Sequence, residues 1–419
     1  MALLFGVLRV TRLSPAERRA LGKDPLLYIG LLLILQLILQ WKNAGGTLFM
    51  NMITGQYRMT PPPVNGLPFS VEPVLSLHPL AWFAPSVLLL IATRHFLSRS
   101  RLKFLLWGML INGAVLAAFG LMQFALGWTR MFGLIEISGN PHLIASFDYP
   151  NHGGAFFYLL FAISIGLLMD ALEKKKAPLH LAAPALLSLL FGTTALASLS
   201  RAAVLAVIGI PLSALIVWIG LHYPKFSTAS WVNLGIFGGV LSVLFIIGIL
   251  SLGDGAIMEE FTKGKSIQEE IGEHYTENRG FQIPPALDMV KDYPWFGVGG
   301  WGYRRFVRCY TTDEQFPKFV ATGKANVHCD PVQFLAEHGT VGFGLMTAGL
   351  GVVLWPWRKL NTWRYRGLAL MTLCGTGVVL LHSLIDLPFR CPTVLWLWLL
   401  LLAIIPMLAG RSIKTAVHT

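Results

Sequence analysis

Apolar runs of near membrane-crossing length recur from end to end of this 419-residue chain, and they leave few folds open. About 20 apolar residues cross a bilayer as an α-helix, because lipid offers no partner to an exposed peptide group. Ten runs fit, at 26–41, 79–93, 104–127, 153–169, 179–198, 202–220, 231–252, 331–354, 367–386 and 393–409. The first two are short, and the Pro- and Gly-rich residues 42–78 between them leave room for a re-entrant or interfacial piece, so twelve spans stay open. Composition agrees, with 54% hydrophobic and 13% charged residues: too few charges to cover a surface in water. The expected fold is an all-α, polytopic transmembrane helical bundle of about 10–12 spans.

Charge placement sets the expected orientation. With the N-terminus in the cytoplasm, 19 Lys and Arg fall on inner segments, among them Arg9 to Lys23, Arg94 to Lys103 and Lys174 to Lys176. Short outer segments hold five: Lys42, Arg58, Arg130, Arg201 and Arg390. The positive-inside rule then puts both termini in the cytoplasm and residues 253–330 outside, which in a bacterium means the periplasmic or extracellular face of the inner membrane. Three regions follow: N-terminal helices to 252, a large loop over 253–330 and C-terminal helices over 331–419. The basic stretch Arg9–Lys23 runs on into a span, so no cleavable signal is expected. Basic patches between apolar runs suit topology and phospholipid headgroups, so the net charge of +12 does not imply a nucleic-acid partner. Cys309, Cys329, Cys374 and Cys391 lack paired-ligand spacing, and neither a zinc site nor a disulfide framework is expected.

The long loop differs in kind, with 12 of the chain's 21 Asp and Glu. After Pro284 and Pro285, the residues Ile283, Leu287, Met289 and Val290 predict a short helix lying on the membrane. The aromatic run Tyr293, Trp295, Phe296, Trp301, Tyr303 and Phe306 suits the headgroup level or the faces of sugars. Gly297–Gly302 matches GxGxxG literally, but no βαβ unit surrounds it. A tight turn that lets backbone approach backbone or ligand accounts for it better than a dinucleotide site.

Individual residues could carry chemistry, each with a plainer alternative. Arg201 is either a snorkelling interfacial arginine or an anion ligand, since an outer arginine runs against the charge bias. Arg279 is one loop cation among several. Arg304, Arg305 and Arg308 could converge on a diphosphate through guanidinium forks, or pair with the loop's own carboxylates. His328, at the loop's end before a span, is a general-base candidate or a capping residue. Glu337 lies deep in that span and needs a partner, with His338 about 100° round the helix. His382 and Asp386, four apart, are expected to share a helical face, as a structural pair or as orienters of a catalytic group.

Taken together these segments resemble the O-antigen ligase/polymerase superfamily. Val327 to Gly342 is similar to its His-Asn-x-x-Leu-x-x-x-x-Glu-x-Gly signature, with Gly342 as the further glycine. Tyr293–Gly299 looks like its Pro-x-x-Gly-x-Gly segment, Asn278-Arg279 its preceding arginine, Ser200-Arg201 its Ser-Arg at a span start, and His382–Asp386 its late His-Ser-x-x-Asp. The chain departs at Cys329, where the family has Asn, and at Asn326, where it often has another His. The resemblance covers residues 130–395 and implies a GT-C-like membrane glycosyltransferase. Its implied donor is an undecaprenyl-diphosphate-linked glycan, and its implied acceptor a hydroxyl of a lipid or glycan such as lipid A-core. It further implies Arg201 and Arg279 on the diphosphate, His328 as base, and inversion without metal or other cofactor. Arg304, Arg305, Glu337, His382 and Asp386 are supporting candidates. Polymerisation of repeat units or glycosylation of protein would use the same chemistry. A secondary transporter for an anion is the alternative of a different class, but no internal repeat supports it.

Overall fold

The computed structural model describes residues 13–53, 56–131, 134–136, 143–174, 176–222, 282–312, 325–355 and 365–408. The expected span at 231–252, Arg279 and much of the long loop lie outside them. In chain order the helices are α1 (Pro15–Gly22) and α2 (Pro25–Lys42), then a hairpin of β1 (Leu48–Met50) and β2 (Tyr57–Met59). Next come α3 (Leu77–Phe96), α4 (Arg99–Leu126), a second hairpin of β3 (Arg130–Met131) and β4 (Ile135–Glu136), α5 (Pro150–Glu173), α6 (Pro178–Ala197) and α7 (Arg201–His222). The remainder is α8 (Ile283–Asp292), α9 (Tyr303–Phe306), α10 (Asp330–Leu354), α11 (Arg366–His382) and α12 (Pro392–Leu408).

The protein is a polytopic helical membrane protein. Among the described residues, α2 to α7 supply six helices long and apolar enough to cross a bilayer, with α11 and α12 as shorter apolar helices. The first two spans are longer than the apolar runs suggest, because α3 includes the polar-flanked ends Leu77–His78 and Arg94–Phe96. Between α2 and α3 the described residues hold no helix but the β1–β2 hairpin, registered Leu48 to Met59 and Met50 to Tyr57.

The chain divides into two compact units. One comprises residues 1–95, 266–355 and 383–390, the other 96–265, 356–382 and 391–419. In the first, α2 packs along α10, and α8 packs on α10 as well. Val71, Met289, Val298, Tyr303, Phe306 and Ala336 form a common core. The helix predicted after the Pro-Pro pair is present as α8, but Ala286 and Met289 face this core, while Leu287 is exposed. Tyr303 and Phe306 are likewise core residues, Tyr303 donating to the Gln282 carbonyl at 2.9 Å, so burial rather than a headgroup role explains two of the six residues of the aromatic run.

The start of α2 carries a buried ion cluster. Asp24 caps the helix by accepting from the Leu26 N–H at 3.0 Å, and its other oxygen binds Arg94 at 3.2 Å and His95 at 2.8 Å. Burial works to raise the Asp24 pKa, but the His95 hydrogen bond and the Arg94 charge override it and hold the carboxyl down at about 2. A folded-state value below the ordinary one gives stabilisation that is complete above about pH 4 and is lost as pH falls towards 2. Asp24→Asn keeps the cap but removes the charge and should cost about 1–3 kcal/mol. The detergent-solubilised variant should melt several degrees lower at pH 7, and an unchanged midpoint would leave this cluster without energetic weight.

In the second unit α5 is central, packed by α6, α7, α11 and α12, with 89% of its most apolar stretch buried. Small residues let the backbones close up: a Cβ on Gly166 would lie 2.7 Å from the Leu368 Cα in α11.

Candidate active site

The geometry of the site begins with a break in α10. Gly339 sits at φ 66° and ψ −175°, well outside helical values, so the helix stops and restarts within a continuous stretch of chain. The freed peptide groups are satisfied by the segment that carries the GxGxxG-like run. Val298 and Gly299 donate to the Ala336 and Glu337 carbonyls at 3.0 and 2.9 Å. On the far side of the break, Thr340 and Val341 donate to the Pro294 and Trp295 carbonyls at 2.7 and 3.0 Å. Gln36 and Gln40 of α2 complete the set, donating to the His338 carbonyl at 2.7 Å and to those of Phe296 and Glu337 at 2.8 and 3.2 Å. Gly297 is at φ 66°, and a Cβ there would lie 2.5 Å from the Ala336 oxygen. The glycine run is therefore a turn built for backbone-to-backbone approach, as its lack of a βαβ context suggests.

This arrangement fixes the functional side chains at the start of α10. His328 immediately precedes Cys329, the N-cap residue, and adopts φ 52°, a left-handed conformation uncommon for any residue but glycine. Its Nδ1 lies 3.3 Å from Asp386 Oδ1; the His328 side chain is 20% exposed and that of Asp386 2%. The same Asp386 oxygen accepts from the Leu387 N–H at 2.8 Å. The 383–390 segment is pinned in turn, because Asp330 donates its N–H to the Ser383 carbonyl at 2.9 Å and accepts from the Phe389 N–H at 2.9 Å.

Glu337 has the partner that its depth demands. Its two oxygens bind Arg390 Nη2 at 2.6 Å and Gln333 Nε2 at 3.0 Å, with Glu337 fully buried and the Arg390 side chain 8% exposed. Gln333 also accepts from the Val327 N–H at 3.0 Å, which ties this pair to the turn that carries His328. Arg304 stacks 4.1 Å over the Trp301 ring and donates to the Asn326 side-chain amide at 3.4 Å. Burial lowers its basicity, the Arg390 charge adds to that and Glu337 opposes it, leaving the guanidinium at about 10.

The expected residues separate accordingly. His328, Asp386, Glu337 and Arg304 all belong to the first unit and to one hydrogen-bonded region. Arg305 instead pairs with Glu72 at 3.0 Å, from the segment before α3 rather than from the long loop. Arg308 stacks 4.1 Å over Tyr57 of β2. His382 and Asp386 do not share a helical face: α11 ends at His382, and Asp386 lies beyond it, its carboxylate turned back on the next N–H. The two also fall in different units, and the His382 Nδ1 meets the Tyr158 hydroxyl at 3.2 Å. Arg201 opens α7 in the second unit, half-buried, next to Ser200, whose hydroxyl donates to Asn151 at 2.5 Å. Arg279 lies outside the described residues. Among the described residues no three His, Cys, Asp or Glu side chains are grouped to hold a metal ion.

One residue of the region is not singled out by sequence reasoning. Arg390 is an outer-side arginine against the charge bias, the same signal that marks Arg201, but its connection to Glu337 spans 53 residues.

Comparison with known families finds a match over part of the chain. Residues 186–347 match the family model described as O-antigen ligase. The match supports the O-antigen ligase/polymerase superfamily for this segment of the chain. The matched segment contains Arg201, Arg279, Arg304, Arg305, His328 and Glu337, and ends before His382, Asp386 and Arg390. No curated protein matches the chain. Members of the superfamily are glycosyltransferase-like enzymes acting on lipid-linked glycans.

Proposed function

We propose that this protein moves a glycan from an undecaprenyl-diphosphate-linked donor to a hydroxyl of a lipid or glycan acceptor, with lipid A-core the leading candidate. The reaction takes place at the periplasmic face of a bacterial inner membrane. The observation that carries the reading is the His328–Asp386 contact at 3.3 Å, on a histidine held at positive φ within the family's signature segment. With Asp386 accepting at Nδ1, the neutral imidazole keeps its proton there and its lone pair at Nε2. Nε2 takes the acceptor O–H proton, the oxygen attacks the anomeric carbon, and the bond from that carbon to the diphosphate oxygen breaks with inversion. Undecaprenyl diphosphate leaves, its charge held by Arg201 and Arg279 through bidentate guanidinium contacts in place of a divalent ion.

The test is transfer by the purified protein from a lipid-diphosphate glycan in the presence of EDTA. Turnover should be undiminished, and a strict divalent-metal requirement would refute the arginine-for-metal assignment. Offering lipid A-core against a second copy of the glycan donor distinguishes ligation from polymerisation by the mass of the product.

A further inference from the structure

Two buried N–H donors in the His328-bearing unit lie close together without an acceptor: Arg390 Nε and Trp301 Nε1. The Arg390 guanidinium is centred 5.1 Å from the Trp301 ring, and that of Arg304 is 4.1 Å from it. Glu337 occupies one arm of Arg390, and Arg304 meets a neutral amide, so two guanidinium groups flank one indole with a single carboxylate bonded to them. Asp330 also influences Arg390 electrostatically, but one of its oxygens is bonded to the Phe389 N–H. A buried donor left unpaired costs about 1–3 kcal/mol, and more when the group is charged. Trp301 adds backbone strain, at φ 63°, while its ring is packed edge-on against His78 and Trp82 at 5.8 and 5.6 Å. Unpaired donors, two cations and a clamped ring together fit a ligand that supplies several anionic oxygens.

We propose that Trp301, Arg304 and Arg390 form a phosphoryl subsite, taking the phosphate oxygens of one of the two lipid-linked substrates. The proposal rests on the glycosyl-transfer reading and adds to it residues other than Arg201 and Arg279. Arg390 serves as its anchor: Glu337 fixes the guanidinium through Nη2 and leaves the Nε edge for the ligand.

The experiment uses the full-length protein in nanodiscs and two probes, undecaprenyl diphosphate for the donor phosphates and diphosphorylated lipid A for those of the acceptor. Arg304→Gln and Trp301→Phe leave the Glu337–Arg390 pair intact. Arg304→Gln should weaken binding by about tenfold, as loss of a charge-assisted contact does, with a smaller loss for Trp301→Phe. Should Arg304→Gln melt early, Arg304→Lys keeps the charge, loses the fork and should still bind more weakly. Weakening for either or both lipids supports the subsite, and the pattern identifies which substrate it serves. Unchanged affinity of every variant for both lipids overturns the subsite and leaves the transfer reading standing. A wild-type protein that binds neither lipid overturns the transfer reading and the subsite with it.

Discussion

His328→Ala is expected to lower glycan transfer by about 10²–10⁴-fold while leaving the affinity for the lipid-diphosphate donor nearly unchanged. The imidazole is the group assigned to take the acceptor proton, and the donor's diphosphate is assigned to arginines elsewhere in the chain. The loss should therefore fall on turnover rather than on donor binding. Asp386→Asn should give a milder loss in kcat with little effect on donor KM, because Asp386 orients His328 without touching substrate. Single-turnover transfer and equilibrium donor binding, measured on the same preparations, separate the two effects. A His328→Ala protein that transfers at the wild-type rate would remove the base assignment. One that has lost donor binding as well would make His328 a structural residue, which its left-handed backbone and its place at the mouth of α10 would then explain.

The second large effect concerns folding. Glu337→Ala should destabilise the protein by about 3–5 kcal/mol, because it leaves the Arg390 guanidinium buried without its carboxylate. The double variant Glu337→Ala, Arg390→Leu should recover much of that loss, since removing both charges removes the unpaired one. Equilibrium unfolding of the single and double variants gives the coupling directly. A single variant within about 1 kcal/mol of wild type, or a double variant no more stable than the single, would show that water reaches the guanidinium and that the pair contributes little. Recovered stability without recovered activity is the expected outcome for the double variant, because Arg390 is assigned to the phosphoryl subsite.

Much of the fold was legible because lipid imposes one dominant rule, and apolar runs report it directly. The boundaries of α5, α6 and α7 lie close to the apolar runs. The β1–β2 hairpin was not legible, since Leu48–Met50 and Tyr57–Met59 are three-residue strands, too short to show an alternating pattern. At the site, Glu337 could be read as needing a partner, because a buried carboxylate always does. The identity of that partner could not be read, because Arg390 is brought to it by the turn between α11 and α12. The same turn defeats the helical reading of His382 and Asp386, since an i to i+4 argument holds only while the helix continues. Arg305 illustrates a local ambiguity: three arginines in five residues look alike in sequence, and only the position of Glu72 sets this one apart.

The interruption at Gly339 bears on how this chain is assembled in the first place. Most spans can enter a bilayer alone, since each satisfies its own peptide groups before it meets a neighbour. α10 cannot do so, because around its midpoint the backbone depends on residues 294–299 and on two glutamines of α2. Its insertion is therefore tied to the arrival of a segment synthesised just before it and of a helix made some 300 residues earlier, since the Gln36–His338 bond spans 302 residues. A single-residue deletion between Pro294 and Gly299 would put each donor opposite the wrong carbonyl. Its damage would appear first as failed membrane integration and degradation of the nascent protein, before any question of catalysis arises.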